Sequence, residues 1–231
     1  MRRIEPYTLF LTIAAAAFVW SAIRPMDYDV WVFELSLGLV GVVFLVATRR
    51  PYPLSGLVYG LAAIHFAILA CGAKYTYAEL PLFNWLRDAF HLAQGFIPAM
   101  FVREFLRRTG GLKPGVLLGF LCVSVCLAFS AFYEILEWWM VVKFYPTSGP
   151  EWLGMQGDPW DAQEDMLMAL IGSTAAILSL SSVHERSMAV LAGRPGMKIG
   201  DVAECRDSVP PTRAAREQDR GERAEIDGRR R

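Results

Sequence analysis

Six long apolar runs, separated by short polar breaks, leave this chain few ways to fold. They are Tyr7–Ile23, Tyr28–Thr48, Leu54–Gly72, Leu86–Leu106, Pro114–Val142 and Met166–Ser182. A helix of about 20 apolar residues covers the hydrocarbon core of a bilayer. Lipid offers no hydrogen bonds, so a spanning segment of this length must satisfy its own backbone, as a helix does. The spacing predicts an all-α, polytopic membrane protein with about six transmembrane helices. The chain is 54% hydrophobic with a net charge of zero. Its charges are segregated: the body is apolar, and from His184 the composition turns to Arg, Glu, Asp, Gly and Pro. The expected organisation is a transmembrane helical domain over 1–183 and a polar, disordered cytoplasmic tail over 184–231.

The N-terminal Met1-Arg2-Arg3 before an apolar run resembles a signal peptide. The run continues past Ala14–Ala17 through Phe18-Val19-Trp20, so an uncleaved helix is expected. Pro98 in the fourth run is expected to kink it. Gly56/Gly60 and Gly115/Gly119 have the G-x-x-x-G spacing that lets helices approach closely. Cys122 and Cys126 lie one turn apart as small packing residues, and the four cysteines show no zinc or disulfide pattern.

Lys and Arg in the loops set the orientation. Arg2, Arg3, Arg49, Arg50, Arg103, Arg107, Arg108 and Lys113 fall on one side, with the tail. The other side holds Arg24, Lys74, Arg87 and Lys143. Both termini are therefore expected in the cytoplasm of a bacterium, with the protein multi-pass in the inner (plasma) membrane. The mixed signs of the tail exclude a nucleic-acid arm.

The stretch Tyr133–Gly172 concentrates the polar chemistry. Glu134 and Glu137 lie about 60° apart on one helix, and Asp161 and Asp165 about 40° apart on the next, so each pair shares a face. Asp158 is a good helix N-cap, with Pro159 at the first helical position. Capping and charge-matching account for Asp158 and Asp161, but not for Gln156, Gln163, Glu164 and Asp165 as well. In the expected topology His91, Glu134, Glu137, Asp158, Asp161 and Asp165 meet at one depth on the outer face, with Gln94 nearby. Oxygen-rich ligands of this kind suit a hard divalent cation such as Mg²⁺ or Ca²⁺. Crowded carboxylates also suit proton sharing and general acid–base work. Trp138, Trp139, Trp152 and Trp160 surround the acids, most simply as an interfacial aromatic belt. No H-E-x-x-H, G-x-S-x-G or glycine-rich phosphate loop is present.

Four segments carry a resemblance: KYTYAELPL (Lys74–Leu82), HLAQGFIPA (His91–Ala99), FYEILEWW (Phe132–Trp139) and QGDPWDAQEDM (Gln156–Met166). They resemble the YjdF-type bacterial inner-membrane proteins, a family without established activity, over about Trp20–Ser182. The scheme His…Glu…Asp-x-x-Asp is also similar, more distantly, to the VanZ-like membrane proteins. The resemblance implies that His91, Glu134, Glu137, Asp158, Asp161 and Asp165 form the family's polar core. One segment of that family, bearing an Asn, an Asp and an Arg before the motif histidine, has no counterpart here, and Asp88 stands nearest to replace its carboxylate.

The expected function is that of an integral inner-membrane protein whose acidic outer-face site handles a lipid head group or envelope precursor. Membrane lipid is the expected partner. One alternative is a proton-coupled transporter using Glu34 and His65; another is a non-catalytic scaffold in which the acids are caps and surface charge.

Overall fold

Several helices begin or end on a local signal. In the computed structural model, which describes residues 5–76, 84–144 and 160–193, six helices follow one another, with no strand among the described residues. Helix α1 (Pro6–Ala22) opens with proline at its first position, where the missing N–H costs nothing. It ends before Arg24-Pro25, with Arg24 in the left-handed region at φ 52. Helix α2 (Tyr28–Thr48) is capped by Asp27, whose carboxylate accepts from the N–H groups of Asp29 and Val30. Helix α3 (Gly56–Tyr75) is capped by Ser55 and stops at Thr76 in a left-handed cap. Helix α4 (Asn84–Thr109) runs through Pro98, and α5 spans Val116–Phe144.

Helix α6 (Asp161–Ala192) departs from expectation at both ends. Trp160, not Asp158, occupies the capping position. Asp158 itself lies outside the described residues, as do Gln156, the Trp152 region and 194–231, where the tail was expected to be disordered. At the other end the helix continues past Ser182 to Ala192, so residue 183 is not a boundary. The reason is chemical: His184 and Glu185, polar enough to suggest a tail, find buried partners inside the bundle.

Helices α2, α3, α5 and α6 are each long and apolar enough to cross a membrane. Helix α1 is apolar but has only 17 residues. Helix α4, the least apolar, hides Arg103, Glu104 and Arg107 against its neighbours. Large side chains such as Val43, Phe120 and Leu178 stand mostly outward, as hydrocarbon allows and water does not. The interior is built from small residues, including Ala63, Ala70, Ala73, Ala99 and Ala176, which let helices approach closely. Cys122 and Cys126 are buried among them, as their spacing suggested.

The packing divides into two three-helix groups of the same plan. Helices α1 and α3 run parallel: Tyr7 packs on Tyr59 at one end, and Lys74 donates to the Ile23 carbonyl at the other. Helix α2 returns on the outside and makes its close backbone contacts with α3. In the second group α4 and α6 run parallel with the most extensive interface in the molecule, and α5 packs outside on both. Helix α3 joins the groups through α4 and α6.

The closest approach uses neither G-x-x-x-G pair. A Cβ on Gly95 would overlap the Ala169 carbonyl, and one on Gly172 the Leu92 carbonyl. Only glycine lets α4 and α6 cross backbone to backbone. By contrast, Gly60 and Gly115 face open space, while a Cβ on Gly56 or Gly119 would meet only side chains, those of Pro6 or Ile177 closely at 3.3 Å.

Candidate functional site

One turn before that glycine crossing, the close approach brings α4 and α6 side chains together. His91 Nδ1 lies 2.6 Å from Asp165 Oδ1, both largely shielded at 12% and 21% side-chain exposure. At this distance the pair is an ion pair when the imidazole is protonated, and an imidazole beside a carboxylate is suited to take and give a proton. Across the bundle, the Tyr133 hydroxyl of α5 donates to Glu34 Oε2 of α2 at 2.9 Å. Glu134 and Glu137 occupy the next turn of α5.

These groups form one electrostatic cluster. Glu34 feels His91, Asp165 and Asp161; Glu134 and Glu137 feel Glu34, Asp161 and Asp165. The basic group acting on Glu34 is His91. Of the expected residues, His91, Glu134, Glu137, Asp161 and Asp165 are thus brought to one end of the bundle. Asp158 falls outside the described residues. Gln163 and Glu164 are exposed, as are Trp138, Trp139 and Trp160, in keeping with an interfacial belt. Among the described residues no three His, Cys, Asp or Glu side chains are arranged to hold a metal ion. The divalent cation that such ligands would suit therefore has no ready cage among them.

Glu34 and Tyr133 were not expected at this site. Their partnership crosses 99 residues of sequence, and Glu34 reads in isolation as an ordinary interfacial acid near a helix end. The signal available was a carboxylate one and a half turns inside an apolar run, where polar residues are costly and tend to be functional.

Beneath the acids lies a cavity of about 640 Å³ bounded mainly by α2, α3, α4 and α5. Leucine, valine and phenylalanine side chains make up most of its wall, while Glu34, His65, Gln94 and Tyr133 supply the polar points. The His65 ring reaches the Ala93 backbone, and its Nδ1 is buried without a hydrogen-bond partner among the described residues.

The opposite end holds a second polar cluster that the sequence did not disclose. Glu104 is fully buried and accepts from Ser55 N–H and Arg108. Its other oxygen lies 3.1 Å from His184 Nε2. Arg103 Nη1 sits 2.9 Å from His184 Nδ1. Arginine can only donate, so Nδ1 accepts and Nε2 carries the proton toward Glu104. Arg103 and Arg107 then clasp Glu185 at 2.7 and 3.1 Å. Arg107 also donates to the Leu112 carbonyl, and Arg108 to that of Pro53. This network ties the start of α3 and the ends of α4 and α6 together.

Comparison with known proteins agrees with the architecture. Residues 6–186 match the family described as "Predicted membrane protein (DUF2238)". The chain is 35% identical over 181 residues to the "Inner membrane protein YjdF" of Escherichia coli (strain K12), covering 74% of this chain and 86% of that protein. No solved structure matches. A helical bundle with several spans apolar enough for a bilayer, matched along nearly all of its described length, makes this chain a multi-pass member of the DUF2238 membrane protein family.

Proposed function

We propose that the acidic end is an outer-face site of a bacterial inner membrane, engaging the polar head group of a lipid or envelope precursor. The observation that carries this reading is the His91–Asp165 pair at 2.6 Å, set among carboxylates from two further helices. A histidine held by a carboxylate at the edge of an apolar cavity is equipped to take or give a proton on a bound head group. Orientation follows the arginines: the end bearing Arg49, Arg50, Arg103, Arg107 and Arg108 is cytoplasmic, which puts both termini inside and the acids outside. The relative's name, an inner membrane protein, supports the choice of membrane.

The test is His91→Ala and Asp165→Asn, each expressed in a strain lacking the endogenous relative, with membrane lipids profiled by mass spectrometry. The wild-type protein should change the lipid profile or envelope sensitivity of that strain. Each variant should lose the change, while the exposed-site variant Glu164→Gln keeps it. Retention of the full effect by both site variants would refute the proposal.

A second reading, a proton-coupled carrier, is favoured by one observation: Glu34 and His65 line the same cavity. It requires pH-dependent flux in proteoliposomes that His65→Ala abolishes.

A further inference from the structure

The cavity between α2 and α5 calls for an occupant of specific chemistry. Its wall is hydrocarbon, from Leu37, Leu45, Phe66, Ile97, Phe101 and Phe129. At about 640 Å³ it lies within the size range of ligand-binding pockets. It sits at membrane depth, beside the outward faces of α2 where Val40 and Val43 are 62% and 65% exposed. Helix α2 makes its close backbone contacts with α3, so α2 and α5 stand apart across the space. Hydrocarbon from the bilayer is what such a space can admit.

The polar end of the cavity narrows the choice. Glu34 borders it directly, and Glu134, Glu137, Asp161 and Asp165 act on the same region. Carboxylates this crowded repel one another when ionised, a cation placed among them relieves that repulsion, and in its company they are acceptors only. A head group that meets them should bring positive charge and N–H donors. A primary ammonium has both, with three donors on a compact charge. A quaternary ammonium has the charge but no donor, and a glycerol head on a phosphate has donors but a net negative charge.

We infer that the cavity takes an acyl chain of a membrane lipid whose head group carries a primary ammonium, with the ammonium held at Glu34 and its neighbouring acids. The inference rests on the reading of the acidic end as a head-group site and names the substrate class for it.

Gly41 provides the test. It lines the cavity, and a side chain added there meets nothing within 4 Å, so a larger residue enters the space without displacing backbone. The full-length protein is placed in phosphatidylcholine nanodiscs doped with a lipid bearing a photoreactive group in its acyl chain. The label is carried in turn on phosphatidylethanolamine, phosphatidylcholine or phosphatidylglycerol. The ethanolamine lipid should label cavity residues of α2, α4 and α5 several-fold more than the other two. Gly41→Phe should cut that labelling several-fold; Gly41→Leu replaces it if the ring prevents folding. Glu34→Gln should reduce the ethanolamine preference while the chain still labels the cavity. Labelling confined to the outward faces of α2 and α5, or unchanged in both Gly41 variants, would overturn the inference. Equal cavity labelling by all three lipids would overturn the ammonium assignment. If the cavity stays unlabelled while Asp165→Asn still alters the lipid profile in cells, the inference fails and the head-group reading stands.

Discussion

At the arginine-rich end, Glu104 and Glu185 are met by three arginines, His184 and a backbone N–H. At the acidic end, five carboxylates share His91 and the Tyr133 hydroxyl. Both ends are built from α4 and α6 with help from the other group, and both mix acid with histidine. They differ in balance. In the first each carboxylate faces cations, a histidine or a backbone N–H, which lowers the cost of burying charge, although Arg108 Nε is buried without a hydrogen-bond partner among the described residues. The second gathers carboxylates from three helices beside a cavity. One end is organised to hold helices together; the other is the end we propose as the head-group site.

The contrast can be broken by removing single groups and following unfolding in detergent. Glu104→Ala should have the largest effect. It strands Arg108 and His184 without their shared carboxylate, a loss of about 3–5 kcal/mol for breaking a buried pair. Next is Gly172→Leu, which forces α4 and α6 apart at their crossing and should cost at least ~1–3 kcal/mol through overpacking. Because the crossing lies one turn from His91 and Asp165, this variant should also lose whatever the acidic end does. Tyr133→Phe removes one hydrogen bond to Glu34 and should cost only about 0.5–1.5 kcal/mol. Glu134→Gln should be smallest, near neutral or slightly stabilising, since it relieves repulsion among like charges. If Glu134→Gln proved as damaging as Glu104→Ala, the two ends would not differ in kind.

Much of the fold was legible because hydrocarbon imposes a simple pattern. The fifth run, read as Pro114–Val142, appears as Val116–Phe144. The apolar stretch alone defines such a helix. The sixth was misjudged at its C-terminal end because hydropathy assumes that polar residues seek water. His184 is buried with 0% exposure because Glu104 and Arg103 replace the water it would otherwise need. Those partners lie 80 residues away, beyond any local signal. The same limit hid the link between Glu34 and Tyr133. The convergence of His91 with Asp165 was legible, since both stand near the same end of their helices in a serpentine topology. That Gly95 and Gly172 make it possible was not, because the pattern G-x-x-x-G marks glycines on one helix and here one comes from each.

The parallel pairing of α4 with α6 constrains how the protein is made. Two parallel neighbours cannot be consecutive, so an intervening crossing must be synthesised between them. Helix α4 emerges from the ribosome with His91, Arg103, Glu104 and Arg107, yet the partners of these groups on α6 follow only after all of α5. During that interval the least apolar helix of the chain has only α3, with its capping Ser55, and the newly made α5 to shelter it. Its full seating in the bilayer is then a late event, completed as the last helix arrives, and a nascent chain halted before α6 should be a substrate for membrane quality control.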